Sequence, residues 1–172
     1  MDIRGKKVLV FGSGISGEGS CRLLLEKGAD VVLYDGNEKL CADEIEAKIL
    51  ETKKENGQFS IVLGTFPEEI IEELSFVVMS PGVPTDLPIV EKMREKSIPI
   101  WGEIELAYVF GKGDVLAITG TNGKTTTTAL LGQIMQDYKE HAYIVGNIGT
   151  PYTSVAQAVS YTHLTLPTNS LV

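Results

Sequence analysis

Cysteine is almost missing from this chain. Cys21 and Cys41 are the only two in 172 residues, and neither stands in a C-x-x-C or other metal-ligand spacing. A disulfide framework and a cysteine metal site are thereby excluded, and both residues read as buried or half-buried free thiols of a reducing compartment. Histidine is as scarce. His141 precedes a strand and reads as a solvent histidine, and neither it nor His163 joins a Ser-His-Asp set, a paired carboxylate or a metal cluster. Positive charge is outnumbered, 15 Lys and Arg against 23 Asp and Glu for a net charge of -8. An acidic surface of this kind argues against general nucleic-acid binding and against docking on anionic membranes, while leaving room for a local phosphate pocket. No stretch approaches the roughly 18 apolar residues of a membrane span. The amino end MDIRGKKVLVFG has a short apolar run with no small-residue cleavage site after it, so it reads as no signal peptide. A cytoplasmic protein is the expectation.

What is there is a repeating grammar of strand and helix. Short apolar runs at 7–12, 31–35, 59–63 and 76–80 read as strands. Between them, 17–27 places Cys21, Leu24 and Leu25 on one helical face and ends at a glycine. The segment 38–53 places Ala42, Ile45 and Ile49 on one face, with a solvated Glu/Lys face opposite. PEEIIEEL (67–74) and LPIVEKMREKS (87–97) read as two more helices, followed by a strand at IPIW, where Trp101 is taken as packing. The pattern then restarts, with a helix at 102–110, a strand at 115–120, a helix at 124–138 and a strand at 142–146. In the 124–138 helix, Leu130, Leu131, Ile134, Met135 and Tyr138 are expected to form one apolar stripe. Alternating strands and helices predict an α/β fold. It is expected as a Rossmann-like parallel-sheet domain over 1–102, then the start of a P-loop ATPase α/β domain over 103–158.

Residues 159–172, VSYTHLTLPTNSLV, carry no charge and no clear period. The codons GTC TCT TAT ACA CAT CTG ACG CTG CCG ACG translate to VSYTHLTLPT and resemble the end of a transposase-based sequencing adapter. In that frame the preceding codon ends in CT, which permits Ala, Ser, Pro or Thr, and Ala158 fits. The expectation is that native sequence stops near Ala158 and the remainder is read-through, to be left out of fold reasoning.

Two glycine-rich stretches carry the chemistry. TGTNGKTTTT (119–128) follows the apolar run VLAI and opens a helix. Successive backbone N–H groups and a helix N-terminus make a phosphate cradle there. Gly120 and Gly123 permit the tight curl, Lys124 can reach the β- and γ-phosphates, and the Thr125 hydroxyl can ligate Mg²⁺. The pattern GxxxxGK[ST] is not fully met, because Ile118 stands at its first glycine position. Thr119, Gly120, Thr121, Asn122, Gly123, Lys124, Thr125 and Thr126 are therefore the candidate ATP site, with Thr127 and Thr128 taken as packing. GSGISG (12–17) also follows a strand and opens a helix, and Asp35 ends the next strand 18 residues beyond Gly17. That spacing is a dinucleotide fingerprint. It suits NAD or another diphosphate nucleotide, a UDP-sugar included. SPGVP (80–84) and GNIG (146–149) each follow a strand as well, which puts Ser80, Pro81, Gly82 and Asn147 beyond carboxyl strand ends, where open α/β sheets bind ligands.

Taken in order, GSGISG, Asp35, SPGV, GEIEL, ITGTNGKTTT and GNIG resemble the amino end of the Mur ligases of peptidoglycan synthesis, over residues 3 to about 158. Within them the likeness is to the D-glutamate-adding branch. The alanine-adding relatives usually have a histidine where Asn122 stands. The folate polyglutamylating relatives usually have glycine where Thr125 stands and lack the first glycine loop. The resemblance implies a cytoplasmic, monomeric ATP- and Mg²⁺-dependent ligase with no nucleic-acid or membrane partner. It would join D-glutamate to UDP-N-acetylmuramoyl-L-alanine through an acyl phosphate. It implies a first domain that binds the UDP substrate rather than NAD, with Gly12, Ser13, Gly14, Ile15, Ser16, Gly17, Asp35, Gly36, Ser80, Pro81 and Gly82 as its substrate-binding residues and Asn147, beyond that domain, added to them. Gly36 replaces a hydroxyl residue of some members. Lys124 would be the catalytic cation and Thr125 a metal ligand. The family's acidic Mg²⁺ ligand, its modified lysine, its histidine and its amino-acid-binding domain fall downstream of the phosphate loop. The chain alone is thus expected to be inactive, with unfinished sheet edges and uncovered apolar helix faces after Gly102. A nicotinamide-dependent oxidoreductase and a non-catalytic nucleotide-binding module are the alternatives.

Overall fold

The structure, a computed structural model, describes residues 1–51, 57–138, 142–146, 150–156 and, through its backbone, 161–165. It divides into two compact units, Met1–Leu106 and Ala107–Val172.

The first unit holds five strands, β1 (Lys7–Phe11), β2 (Asp30–Asp35), β3 (Phe59–Leu63), β4 (Phe76–Met79) and β5 (Ile100–Gly102). They form one sheet in the order β3-β2-β1-β4-β5, with every pairing parallel. β1 lies at its centre between β2 and β4, and β1 and β4 are apolar at nearly every position, as a sheet covered on both faces requires. One face carries Leu9, Phe11, Val32, Tyr34, Val77 and Met79, packed with Ile71, Leu74, Val90 and Met93. Ile71 belongs to a 3₁₀ helix (Glu68–Glu73), and Val90 and Met93 to the helix α3 (Pro88–Glu95). The helices α1 (Ile15–Glu26) and α2 (Ala42–Leu50) pack on each other and on β1–β3. They bury Cys21, Leu24, Leu25, Ile45 and Ile49.

Chain ends of these helices are closed by local hydrogen bonds. Gly28, at φ 80, follows α1 and lets its N–H reach the Leu25 carbonyl (2.9 Å) and that of Ala29 reach Leu24 (3.1 Å). These two bonds are a Schellman closure. α3 ends the same way, with Ser97 in the left-handed region at φ 57 and Ile98 donating to Met93 at 3.0 Å. The helix read at 67–74 is present as a 3₁₀ helix, Glu68–Glu73, with Pro67 as an extended cap and Ile70 donating to the Pro67 carbonyl. It lies on the crossover from the edge strand β3 to β4, two strands that β2 and β1 separate in the sheet. One detail of this unit differs from the sequence reading: Cys21 is buried, but Cys41 is exposed at the cap of α2.

The second unit has α4 (Glu103–Phe110) at the junction, then β6 (Asp114–Ile118), α5 (Lys124–Tyr138), β7 (Ala142–Gly146), α6 (Tyr152–Val155) and β8 (Tyr161–Thr165). Its sheet runs β6-β8-β7, with β8 parallel to both neighbours. A segment read as foreign to the fold thus occupies the middle of this sheet. The expected stripe on α5 is also split. Thr128 and Gly132 are buried, with Leu131 and Met135 half-buried, while Leu130 is 63%, Ile134 53% and Tyr138 74% exposed. The cause is Gly132: a Cβ there would stand 2.3 Å from Ile144 Cδ1. α5 therefore seats its glycine against β7, which rotates Leu130 and Ile134 away from the sheet.

Candidate functional site

The register of the first sheet brings three loops together. Phe11 is paired with Tyr34 on one side and Met79 on the other, so Gly12, Asp35 and Ser80 leave adjacent strands side by side. Backbone bonds join them: Gly12 N–H donates to the Tyr34 carbonyl (2.8 Å) and Ser80 N–H to Phe11 (3.0 Å). The Ser80 hydroxyl donates to the Gly12 carbonyl (3.2 Å). Of the residues proposed for one nucleotide site, 12–17, 35, 36 and 80–82 meet at this edge. Asn147 lies outside the described residues.

Two glycines here have no room for a side chain. Gly12 has φ 98, and a Cβ on it would come within 2.9 Å of Val83 Cγ2 and 3.0 Å of Ser80 Cβ. A Cβ on Gly17 would stand 1.9 Å from the Gly12 carbonyl oxygen. Gly14 differs: it caps α1 with no side-chain hydrogen bond, and open space lies beside its Cα. The first turn of α1 thus presents backbone N–H groups to whatever approaches Gly14, with the exposed Ile15 next to it. The arrangement suits an anion, since unpaired amides and the helix dipole act in the same direction.

Asp35 closes the other side. Its Oδ2 accepts from both the N–H (2.9 Å) and the hydroxyl (2.6 Å) of Ser13, and its Oδ1 from Asn37 N–H (3.0 Å). Partial burial works to raise its pKa, but the hydrogen bonds from Ser13 and Asn37 outweigh it and hold the carboxyl below its ordinary value. This clasp was not foreseen from the sequence, where Ser13 was named only among the residues that would bind the UDP substrate. The signal available was a hydroxyl between two glycines facing a strand-ending acid. An aromatic wall was also missed. Phe11 and Tyr34 rings lie 4.7 Å apart and Tyr34 and Phe66 4.9 Å apart. They line a cleft of about 360 Å³ with Thr65, Leu87 and Ile89. The Tyr34 hydroxyl donates to the Gly64 carbonyl (2.9 Å), and burial with the nearby Asp35 charge pushes its pKa up. Trp101 packs on Phe76 at 4.6 Å between centroids.

In the second unit, residues 119–123 link β6 to α5 and are exposed, as are Thr125 and Thr126, with Lys124 half-buried. Gly120 (φ 145) and Gly123 (φ 78) occupy backbone conformations that favour glycine. The Lys124 ammonium folds back on its own loop, donating to the carbonyls of Gly120 and Thr121. Thr127 N–H donates to Gly123 (2.9 Å), starting the helix, and Thr128 is buried. Among the described residues no three His, Cys, Asp or Glu side chains are grouped to hold a metal ion, and no helix is long and apolar enough to cross a membrane.

Comparison with known proteins gives these loops a context. The family of the Mur ligase MurD-like N-terminal domain matches residues 6–102. The chain is 52% identical over 153 residues to a UDP-N-acetylmuramoylalanine–D-glutamate ligase of Lachnospira eligens, covering 89% of this chain and 33% of the relative. It is 49% identical over 157 residues to one of Lachnoclostridium phytofermentans, covering 91% and 34%. The chain therefore spans about a third of the length of these curated relatives. Among solved structures, a pseudomurein peptide ligase type C from Methanothermus fervidus matches with a TM-score of 0.51 at 22% identity, over 94% of this chain and 33% of that one. A murein peptide ligase from Psychrobacter arcticus matches with a TM-score of 0.51 at 17% identity, over 94% and 37%. These two share the fold. With more than half of its residues matched by the family, the chain belongs to the MurD-like Mur ligases through its amino-terminal domain.

Proposed function

We propose that the protein is an ATP-dependent ligase of peptidoglycan precursor synthesis, acting in the cytoplasm as a monomer. It would add D-glutamate to UDP-N-acetylmuramoyl-L-alanine. Residues 1–102 would hold the UDP part of that substrate at Gly12–Gly17, Asp35, Gly36 and Ser80–Gly82. ATP would sit at Thr119–Thr126. Its strongest support is the occurrence of two strand–glycine–helix turns in one chain that is 52% identical, over 89% of its length, to a protein named for this ligation.

In this reaction a carboxylate oxygen of the alanine attacks the γ-phosphorus and ADP leaves, giving an acyl phosphate. The D-glutamate amine then attacks the carbonyl carbon, inorganic phosphate leaves, and the nitrogen sheds a proton as the amide forms. For the first step the chain supplies positioning and positive charge rather than a base. Lys124 would exchange its bonds to the Gly120 and Thr121 carbonyls for phosphate oxygens. Thr125, exposed at the first turn of α5 beside Gly123, where a Cβ meets nothing within 4 Å, offers the oxygen donor a hard cation takes. Bound Mg²⁺ would neutralise charge on the β- and γ-phosphates.

The test is made on a protein of the relatives' full length that contains this chain. It should form the amide only with ATP and D-glutamate, and Lys124→Ala should weaken ATP binding by roughly tenfold or more, the scale of one charge-assisted contact. The 172-residue chain should be stabilised by UDP-N-acetylmuramoyl-L-alanine without forming product. ATP binding that ignores Lys124→Ala, together with stabilisation by NADH and not by UDP compounds, would overturn the proposal.

A further inference from the structure

We propose that Ser13 is a positioning residue that sets nucleotide selectivity in the amino-terminal cup, by clasping one oxygen of Asp35 so that the carboxylate has a single acceptor position left for a ligand. The inference rests on the reading of residues 12–17 and Asp35 as a nucleotide site.

A carboxylate has about four lone-pair positions, two per oxygen. Both on Asp35 Oδ2 are filled, by Ser13 N–H at 2.9 Å and Ser13 Oγ–H at 2.6 Å. One on Oδ1 is filled by Asn37 N–H at 3.0 Å. The clasp also fixes the plane of the carboxylate, because its two oxygens are tied to different loops. An acid that grips the 2′- and 3′-hydroxyls of a ribose together needs a free position on each oxygen. Asp35 held in this way cannot supply them. It can accept from one N–H or O–H of a nucleotide whose phosphates rest near Gly14, where space is open. The spacing of GSGISG and Asp35 alone suits a dinucleotide equally well, and Ser13 is the residue that separates the two cases. Removing its hydroxyl returns one lone pair to Oδ2 and lets the carboxylate turn.

Titration calorimetry of the 172-residue chain with UDP and with ADP-ribose decides this, using Ser13→Ala, Ser13→Thr and Ser13→Cys. Ser13→Ala should weaken UDP binding by roughly tenfold, the effect of one charge-assisted hydrogen bond. It should also narrow the preference for UDP over ADP-ribose. Ser13→Thr, which keeps the hydroxyl, should restore both within about twofold. Ser13→Cys, similar in shape with a weak donor, should follow Ser13→Ala and stands in for it if that variant does not fold. An unchanged preference in Ser13→Ala or Ser13→Cys, or no rescue by Ser13→Thr, overturns the role of Ser13 while UDP binding by the parent chain leaves the cup intact. No binding of UDP by the parent chain overturns the cup and this inference with it.

Discussion

At the scale of single residues, the first cup is decided by where a methyl group will not fit. Gly17 lies over the Gly12 carbonyl, and a Cβ would meet that oxygen at 1.9 Å. Backbone, not a flexible side chain, is in the way, so the turn itself must move. Gly17→Ala should destabilise the first unit by about 2 kcal/mol or more, the range of overpacked sites, read as a lower midpoint in urea. Asp35 makes a pH prediction. Its folded pKa lies below the ordinary 3.8, so its ionised form stabilises the folded state. That contribution is fully present above the unfolded pKa and is lost as pH falls through the folded one. Stability should therefore drop as pH falls below about 4, and Asp35→Asn should flatten that part of the profile, as measured by thermal melts from pH 3 to 7. Of these features, the glycines were legible from their spacing. The Ser13 clasp was not, because nothing in a linear pattern says which way a short hydroxyl turns.

At the scale of elements, periodicity located the helices better than it oriented them. The expected stripe on α5 ran through five apolar residues, yet only Leu131 and Met135 turn partly inward, beside Thr128 and Gly132. Close approach of Gly132 to Ile144 outweighs the greater apolar area of Leu130 and Ile134, which stay 63% and 53% exposed. Leu130→Gln with Ile134→Gln should accordingly leave the melting behaviour nearly unchanged, within about 0.5 kcal/mol for exposed positions. It should reduce dye binding and self-association, as seen by light scattering. Loss of cooperative unfolding in that double variant would show that the two side chains are packed. β8 teaches the reverse lesson. Its five residues have no amphipathic period, and their backbone still pairs with β6 and β7. Ladder hydrogen bonds use groups every residue carries, so a strand can be recruited without a pattern that announces it.

At the scale of the whole molecule, the two units differ in how much they bury. The fully enclosed large side chains Leu9, Leu24, Leu33, Ile49, Ile71, Phe76 and Met93 all belong to the first unit, whereas Tyr152 is the one such residue described within 107–172. Stability follows buried apolar area. Amides of β1 and β4 should therefore exchange hydrogen at least about tenfold more slowly than those of β6 and α5, in exchange followed by mass spectrometry. Equal protection in both units would contradict this distribution. Nucleotides should act separately on the same readout, with UDP compounds slowing exchange at 12–17 and ATP at 119–126.

The order of strands and helices through β7, the parallel class of the sheet and the two glycine turns were determined by the linear sequence, because apolar period and glycine placement are local properties that survive without a partner. The adjacency of Gly12, Asp35 and Ser80 was decided by tertiary structure, through the strand order β3-β2-β1-β4-β5 that sets their loops side by side. So were the clasp on Asp35, the inward face of α5 and the central place of β8. Each of these depends on which distant segment arrives next to it, and contacts between segments far apart in the chain leave no mark on the spacing of residues within any one of them.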